Sequence, residues 1–455
     1  MTAATAPAKA GAKPSRGGGR GGSPHRHRFW VGLAFLAPAL VLLGALLVYP
    51  TIATVWQSFL SDATGKFAGL ENYRTIAHTH RILTALKNTA IWVAAAPAVI
   101  TGLGLIFALL TERVRYGTAI KVVLFMPMAV SFLATGVIWR LVYDPAPDKG
   151  LLNAVIGAAY NQAQPPGPYP EAQPAPSGPL KMHKDGAVYG GTDYRAGDVA
   201  LLGLVAIPPD SMPKDATQAV QPNSAPAGGM SVVVWRDFKP GGGKPGVVEN
   251  GEVGLPGATV TVVDQGGDGQ VVARGTTGDD GAVKFSHLDG DGPYQARVAS
   301  QTFRHPFGGI DWLGSTLVTY AIIAAFCWMW AGFSVVVVSA GLAALPRDVL
   351  EAARIDGAGE WKVFRHVTVP LLAPVLGVVF TTMVINVMKI FDIVLITAPG
   401  GSQNAANVIA LEMYNTSFTA RQYGLGSAVA VLLFIIVIPF MILNLKRFKQ
   451  GGVGT

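Results

Sequence analysis

Six apolar stretches free of charged residues recur along the chain, at about 30–49, 88–111, 122–139, 313–345, 367–388 and 425–445. A bilayer core takes about 20 residues of helix to cross, so the pattern predicts six membrane-spanning helices. The third stretch is the shortest. The fourth has length to spare for tilt or for extra buried helix at either end. Between these two the pattern changes. Short apolar runs at 199–207, 231–235, 258–263, 271–273, 283–285 and 294–298 are separated by Gly, Asp and Pro turns, which predicts the strands of a β-sandwich. Apolar and polar side chains alternate through Thr259-Val260-Thr261-Val262, so one face turns inward and the other meets water.

The fold class that follows is a mainly α membrane protein with an inserted β-sandwich-like domain. The expected divisions are a basic tail (1–28), spans one to three (29–154), the insert (155–305), spans four to six (306–449) and a short end (450–455). The tail is rich in Gly, Ala, Pro, Ser, Lys and Arg and is predicted to be disordered. A Pro-rich stretch at 164–179 opens the insert and is expected to be a stiff, extended linker. It leads to a β domain near 230–300.

Composition supports lipid as the main solvent. Half of the 455 residues are apolar and 14% are charged, against about 25% in ordinary soluble domains; mean hydropathy is +0.39. The net charge of +8 conceals an insert at −4 and a remainder at +12. That excess lies at the ends of apolar stretches: Lys9, Lys13, Arg16, Arg20, Arg26 and Arg28 in the tail; Arg113, Arg115 and Lys121 after the second stretch; Lys446, Arg447 and Lys449 at the end. In a six-span arrangement all three clusters fall on one side, which the positive-inside rule makes cytoplasmic, with both termini inside and the insert outside. Nucleic acid is not an expected partner, because no basic face with interleaved aromatics appears. A signal peptide is also set aside: the first apolar run ends at Pro50 with no small-x-small site, and five further spans follow.

The single cysteine, Cys327, lies within an apolar run, so neither an intrachain disulfide nor a cysteine metal site is expected. His78 and His80 have no neighbouring ligand residues, and Asp279-Asp280-Gly281 reads as a hairpin turn, so no metal is expected. No G-x-x-x-x-G-K-[ST] phosphate loop is present. No nucleophile–base pair stands out. The chain is therefore expected to carry no enzyme activity, and any ATP and Mg to be bound by another chain.

One cytoplasmic stretch, 346–370, carries a pattern of its own. Pro346 suits the first turn of a helix, and Asp348 and Glu351 place negative charge near its positive end. Gly357 and Gly359 break that helix, and a second one from 360 to 369 runs through Pro370 into the fifth span. Ala352, Ala353, Gly357 and Ala358 are small enough for another protein to approach the backbone closely, and Phe364 can anchor the second helix. Spacing alone leaves two readings open, an ordinary amphipathic loop and a docking element.

Glu351-Ala352-Ala353, Asp356-Gly357-Ala358, Phe364, Pro370 and Pro374 resemble the cytoplasmic "EAA" loop of permeases in binding-protein-dependent ABC sugar importers of the maltose, glycerol-phosphate and α-glucoside type. Flanking segments agree: Asn88-Thr89, Phe125-Met126-Pro127, Ile138-Trp139-Arg140, Gly150-Leu151-Leu152-Asn153, Trp312-Leu313, Gly341-Leu342, Phe391, Thr397, Tyr414, Phe418 and Tyr423-Gly424. The resemblance covers 29–154 and 306–449. The insert departs from it, as does Ala398-Pro399-Gly400-Gly401, which stands where the family has Gly-Gly-Pro. Within the insert, 254–262, 276–285, Leu288 and Gly292-Pro293-Tyr294 resemble the small prealbumin-like sandwich of carboxypeptidase regulatory domains and adhesin B-type repeats.

What the permease resemblance implies is a multi-pass subunit of a bacterial plasma (inner) membrane. It would pair with a second permease, dock on an ATPase dimer through Glu351, Ala352, Ala353, Asp356, Gly357, Ala358, Phe364 and Pro370, and receive an oligosaccharide from an external sugar-binding protein. Lys389 and Asp392 lie three apart, close enough to pair on a helix. With Asn386 they are candidates for the sugar pathway, since ionisable groups near membrane depth are functional suspects; snorkelling to the outer interface is the plainer alternative. Two other readings compete: an envelope-interaction or adhesion protein acting through the insert, and a secondary transporter, which should show internal repeats.

Overall fold

The computed structural model describes residues 35–451, apart from 113, 177, 191–192, 267–268 and 290–291. The expected tail at 1–28, the start of the first span and residues 452–455 lie outside the described residues. The described residues form two compact units, one of those up to 131 together with those from 322 onward, the other of those within 132–321.

In chain order the helices before the insert are α1 (Phe35–Gln57), α2 (Glu71–His78), α3 (His80–Glu112), α4 (Gly117–Phe125), α5 (Phe132–Val142) and α6 (Leu151–Ala163). The strands are β1 (Gln173–Pro174), β2 (Lys181–Met182), β3 (Val188–Tyr189), β4 (Val199–Val205), β5 (Met230–Arg236), β6 (Thr259–Asp264), β7 (Val271–Thr276), β8 (Ala282–Phe285) and β9 (Tyr294–Val298). After them come α7 (Val318–Ala343), α8 (Arg347–Ile355) and α9 (Glu360–Met388). The last are α10 (Asp392–Thr397), α11 (Gln403–Ala406), α12 (Ile409–Tyr414) and α13 (Tyr423–Gly451).

Among the described residues, α1, α3, α7 and α9 are long and apolar enough to cross a membrane, and α13 contributes a shorter apolar helix at Tyr423–Pro439. The third expected span is not one helix. It breaks into Gly117–Ala129 and Phe132–Val142, with a 3-10 turn at Met126–Ala129 and an extended Val130 between them. Pro127, which has no N–H to give the helix, lies in the 3-10 turn, and the helical backbone ends three residues later, at Val130. A count of charge-free residues passes over such a fault.

In the unit carrying α1 to α4, helices approach closely where glycine allows it. A Cβ on Gly332 of α7 would lie 2.0 Å from the carbonyl oxygen of Leu124, and one on Gly104 of α3 would lie 1.9 Å from Ser334 Oγ. Trp92 is fully buried, its ring edge-on to Phe326 at 5.5 Å.

The other unit contains the insert, in which each of the six predicted runs forms or overlaps a strand. Two sheets, ordered β1-β4-β5-β8 and β2-β3-β9-β6-β7, enclose a core that includes Leu202, Leu204, Val232, Val260, Val262 and Val298. β4 and β5 pair in parallel while the other pairs run antiparallel. The domain is larger than the 230–300 stretch, and the Pro-rich segment is built into it rather than leading up to it. Gly167 and Tyr169 donate backbone N–H groups to Arg304 and Thr302, and Gln173–Pro174 pairs with β4. Tyr169 is buried with its hydroxyl donating to Pro256 at 2.7 Å; that burial, then the nearby Asp215 charge, pushes the phenol well above its ordinary range.

Asn153, fully buried, closes the neck of the insert. Its amide donates to the carbonyls of Asp144, Pro145 and Ile310, and its oxygen accepts from Ile310 N and Trp312 Nε1. Entry and exit of the insert thus meet on one side chain, which accounts for Asn153 and Trp312 standing out together.

Glu252 gives the insert a pH signature. Its Oε2 accepts from Trp235 Nε1 at 3.0 Å and Glu249 N at 2.8 Å, while Oε1 is buried without a partner. Burial raises this carboxyl above its ordinary value, opposed by the Glu249 N–H bond and reinforced by the Asp237 charge. The folded state then holds the proton more tightly than the unfolded one, so this group's stabilisation is present below its unfolded pKa and fades as pH rises through the folded one. Asp185 and Glu249 are lowered, mainly by backbone N–H bonds, and act in the opposite sense. We expect Glu252→Gln to gain on wild type as pH rises from about 4 to 7, read as amide-exchange protection of β5 in the intact protein.

Candidate docking loop and membrane clasp

The 346–370 stretch forms two helices across a capped turn. Pro346 stands at the N-cap of α8, with Asp348 in the first turn and Arg354 in the last, each charge matched to its end of the helix dipole. Gly357 has φ +80°. Its N–H donates to Arg354 O at 3.0 Å, and Ala358 N donates to Ala353 O at 3.1 Å. This is a Schellman cap, with glycine at the one position that needs left-handed backbone. Gly357 and its cap turn the chain from one helix into the next. Arg354 Nε and Glu360 Oε1, 2.9 Å apart, tie the two helices across it.

The corner is outward-facing. Glu351, Ala352, Asp356, Gly357 and Pro370 are exposed; Ala353, Ala358 and Phe364 are half-buried. Ile355 is 85% exposed and Trp361 69% exposed, with the Trp361 ring tilted against Phe364 at 5.3 Å. No Cβ added at Gly357 would meet anything within 4 Å, so open space surrounds the turn. Ile355 and Trp361 thus leave apolar surface exposed on an otherwise polar loop. The sequence pattern singled out the small residues and missed Ile355 and Trp361, whose exposure only the fold reveals.

The expected pathway residues do not share one helix. Asn386 donates to Thr382 O on its own helix. Lys389 is the C-cap of α9 and Asp392 the first residue of α10, both exposed. The helix that should have paired them stops between them, at Phe391 with φ −144° and ψ −60°.

A different cluster holds this region. Asn88 donates to the carbonyls of Ala405 and Asn407, and Thr89 Oγ1 accepts from Ile409 N. Glu412 is fully buried, with Arg81 Nη2 at 2.9 Å and Thr416 Oγ1 at 3.0 Å from Oε1, and Asn407 Nδ2 at 2.5 Å from Oε2. Sequence reasoning noticed Asn88-Thr89 but not Glu412. Its one signal was that it is the sole acid from residue 393 to the end.

The described residues hold no cluster of three or more His, Cys, Asp or Glu able to hold a metal. A family model described as the binding-protein-dependent transport system inner membrane component matches residues 276–448. The osmoprotective compounds uptake permease protein GgtC of Synechocystis sp. is 27% identical over 416 residues, 91% of this chain and 98% of that one. The alpha-glucoside transport system permease protein AglF of Rhizobium meliloti is 27% identical over 425 residues, 92% of this chain and 83% of that one. In fold, the chain is similar to a bacterial ABC transporter importing the acidic polysaccharide alginate, with TM-score 0.53 at 12% identity over 95% of this chain and 98% of that one. It is likewise similar to a bacterial alginate transporter in complex with an alginate pentasaccharide-bound periplasmic protein, with TM-score 0.52 at 12% identity over 92% and 94%. The adhesion reading draws no support from these relatives. The chain belongs to the inner-membrane permease family of binding-protein-dependent transport systems.

Proposed function

We propose that this chain is the membrane-spanning, non-catalytic subunit of an ATP-driven importer that carries an oligosaccharide such as an α-glucoside. The observation that carries this reading is the exposed helix–glycine–helix corner at 346–370, a docking element on a chain whose sequence contains no phosphate loop. In this reading Glu351 and Asp356 are charged contacts, Ile355, Trp361 and Phe364 are apolar anchors, and ATP and Mg belong to a partner ATPase dimer. A second permease completes the channel, and an external binding protein delivers the sugar; the similar alginate transporter is in complex with an alginate pentasaccharide-bound periplasmic protein.

Six spans with both termini cytoplasmic account for the basic clusters, with α4 and α5 sharing one span. Residues 155–305 then form an external domain for docking the loaded binding protein. Asn386, Lys389 and Asp392 line the outer part of the sugar path. The substrate class follows from the α-glucoside permease to which the chain is similar.

The test is uptake of labelled sugars by proteoliposomes holding the full complex and a loaded binding protein. The reading expects uptake of at least one α-glucoside that requires ATP. Uptake driven by a proton or sodium gradient without ATP would overturn it in favour of a secondary transporter.

A further inference from the structure

Between α10 and α13 the backbone is repeatedly interrupted: α11 is four residues, Asn407 and Val408 are non-helical, and α12 runs into a π-turn at Asn415–Thr419. This interrupted stretch is deeply buried, with Ala406, Val408, Ile409 and Leu411 at most 1% exposed. Backbone groups freed in such surroundings need partners. Asn88 and Thr89 on α3 supply them for Ala405, Asn407 and Ile409.

Glu412 goes beyond backbone satisfaction. It brings a carboxylate into a site where an amide or an apolar side chain would pack at lower cost. It then spends both oxygens on three groups from three places: Arg81 at the start of α3, Asn407 before α12 and Thr416 after it. Arg81 is 42% exposed while Glu412 is 0% exposed, so the cation can go to water and the acid cannot. Immediately beyond the clasp, the rings of Phe391, Tyr414 and Phe418 follow one another at 4.9 and 5.3 Å. Tyr414 and Phe418 are 40% and 63% exposed, and Asp392 beside Phe391 is exposed too. Sugar rings stack on aromatic faces of this kind, and an exposed carboxylate marks the neighbourhood as one that meets water rather than hydrocarbon.

We propose that Glu412 is a positioning residue for substrate passage: through Arg81 it fastens the 403–419 segment to the second span and so sets the Phe391–Tyr414–Phe418 row in the path of the sugar. The proposal rests on the sugar-importer reading above.

The experiment uses the full complex in lipid, with Arg81→Gln, Glu412→Gln and the double variant, each also carrying Ala406→Cys. Ala406 is 1% exposed and the only native cysteine, Cys327, is buried, so a membrane-impermeant thiol reagent reports on opening at position 406. Arg81→Gln alone strands a buried acid and should lower the yield of folded protein; adding Glu412→Gln removes that acid and should restore yield to within about twofold of wild type. In the restored double variant we expect maximal uptake to fall about tenfold with little change in KM, because the interaction acts on passage rather than on binding-protein docking. The labelling rate at 406 should rise about tenfold as the segment loosens. Wild-type maximal uptake, or a wild-type labelling rate, in the double variant would each reduce the clasp to a brace and overturn the proposal. If the wild-type complex takes up no sugar on the panel, the substrate assignment fails, and the labelling rate alone decides the clasp.

Discussion

Gly357→Pro should leave the chain in the membrane and abolish the stimulation of ATP hydrolysis by loaded binding protein. Gly357 stands at φ +80°, whereas proline is locked near −65° and has no N–H for Arg354 O, a mismatch of about 3 kcal/mol or more. At about 1.4 kcal/mol per tenfold, the capped corner falls to on the order of a hundredth of the population. Ile355 and Trp361 then lose their fixed relation across the turn. The series matters as much as the loss. Gly357→Asn, which tolerates left-handed backbone, should retain most of the stimulation, and Gly357→Ala, at about 1 kcal/mol, should fall between. A Cβ at 357 meets nothing within 4 Å, so the series reports on backbone conformation, and equal activity across Asn, Ala and Pro would mean that the cap has no part in coupling.

Gly332→Val should remove most of the folded protein before any transport can be measured. Even a bare Cβ would lie 2.0 Å from Leu124 O and 2.6 Å from Phe125 Cα. Both are backbone atoms of α4, so no side-chain rotation relieves the contact. Small residues let membrane helices come this close. Overpacking commonly costs 1–3 kcal/mol, and a backbone collision belongs at or above about 3. The monodisperse fraction after detergent extraction, with Gly308→Val as the control, measures it. Gly308 has nothing within 4 Å of its Cβ position and should tolerate valine.

The apolar stretches, the helix–glycine–helix turn at 346–370 and the longer strands were legible in the sequence because each is a local pattern. The charge-free runs mark helices and Gly357 marks a turn. What escaped depends on contacts distant in sequence. Asn88 grips carbonyls 317 and 319 residues away, and Glu412 answers Arg81 across a similar gap, so the spacing within neither segment reveals the clasp. The pairing of Lys389 with Asp392 assumed a helix that continues through Phe391. In the insert, composition marked 164–179 as linker because proline is stiff and extended, yet the segment is held in the sandwich by the buried Tyr169, by backbone bonds to Thr302 and Arg304 and by the pairing of Gln173–Pro174 with β4. The two-residue strands β1 to β3 are too short for any periodicity, and the parallel alignment of β4 with β5 is a matter of topology.

In the proposed reading this chain couples another chain's ATP hydrolysis to passage of a sugar, and the two chains meet at the corner at 346–370. ATP hydrolysis by the reconstituted complex is to be measured across a panel of sugar-loaded binding proteins, with wild-type chain and with Trp361→Ala/Ile355→Ser. We expect stimulation by at least one α-glucoside-loaded binding protein for wild type, and hydrolysis no higher than the unstimulated rate for the variant. Equal stimulation of the two, with both chains assembled to the same extent, would contradict it.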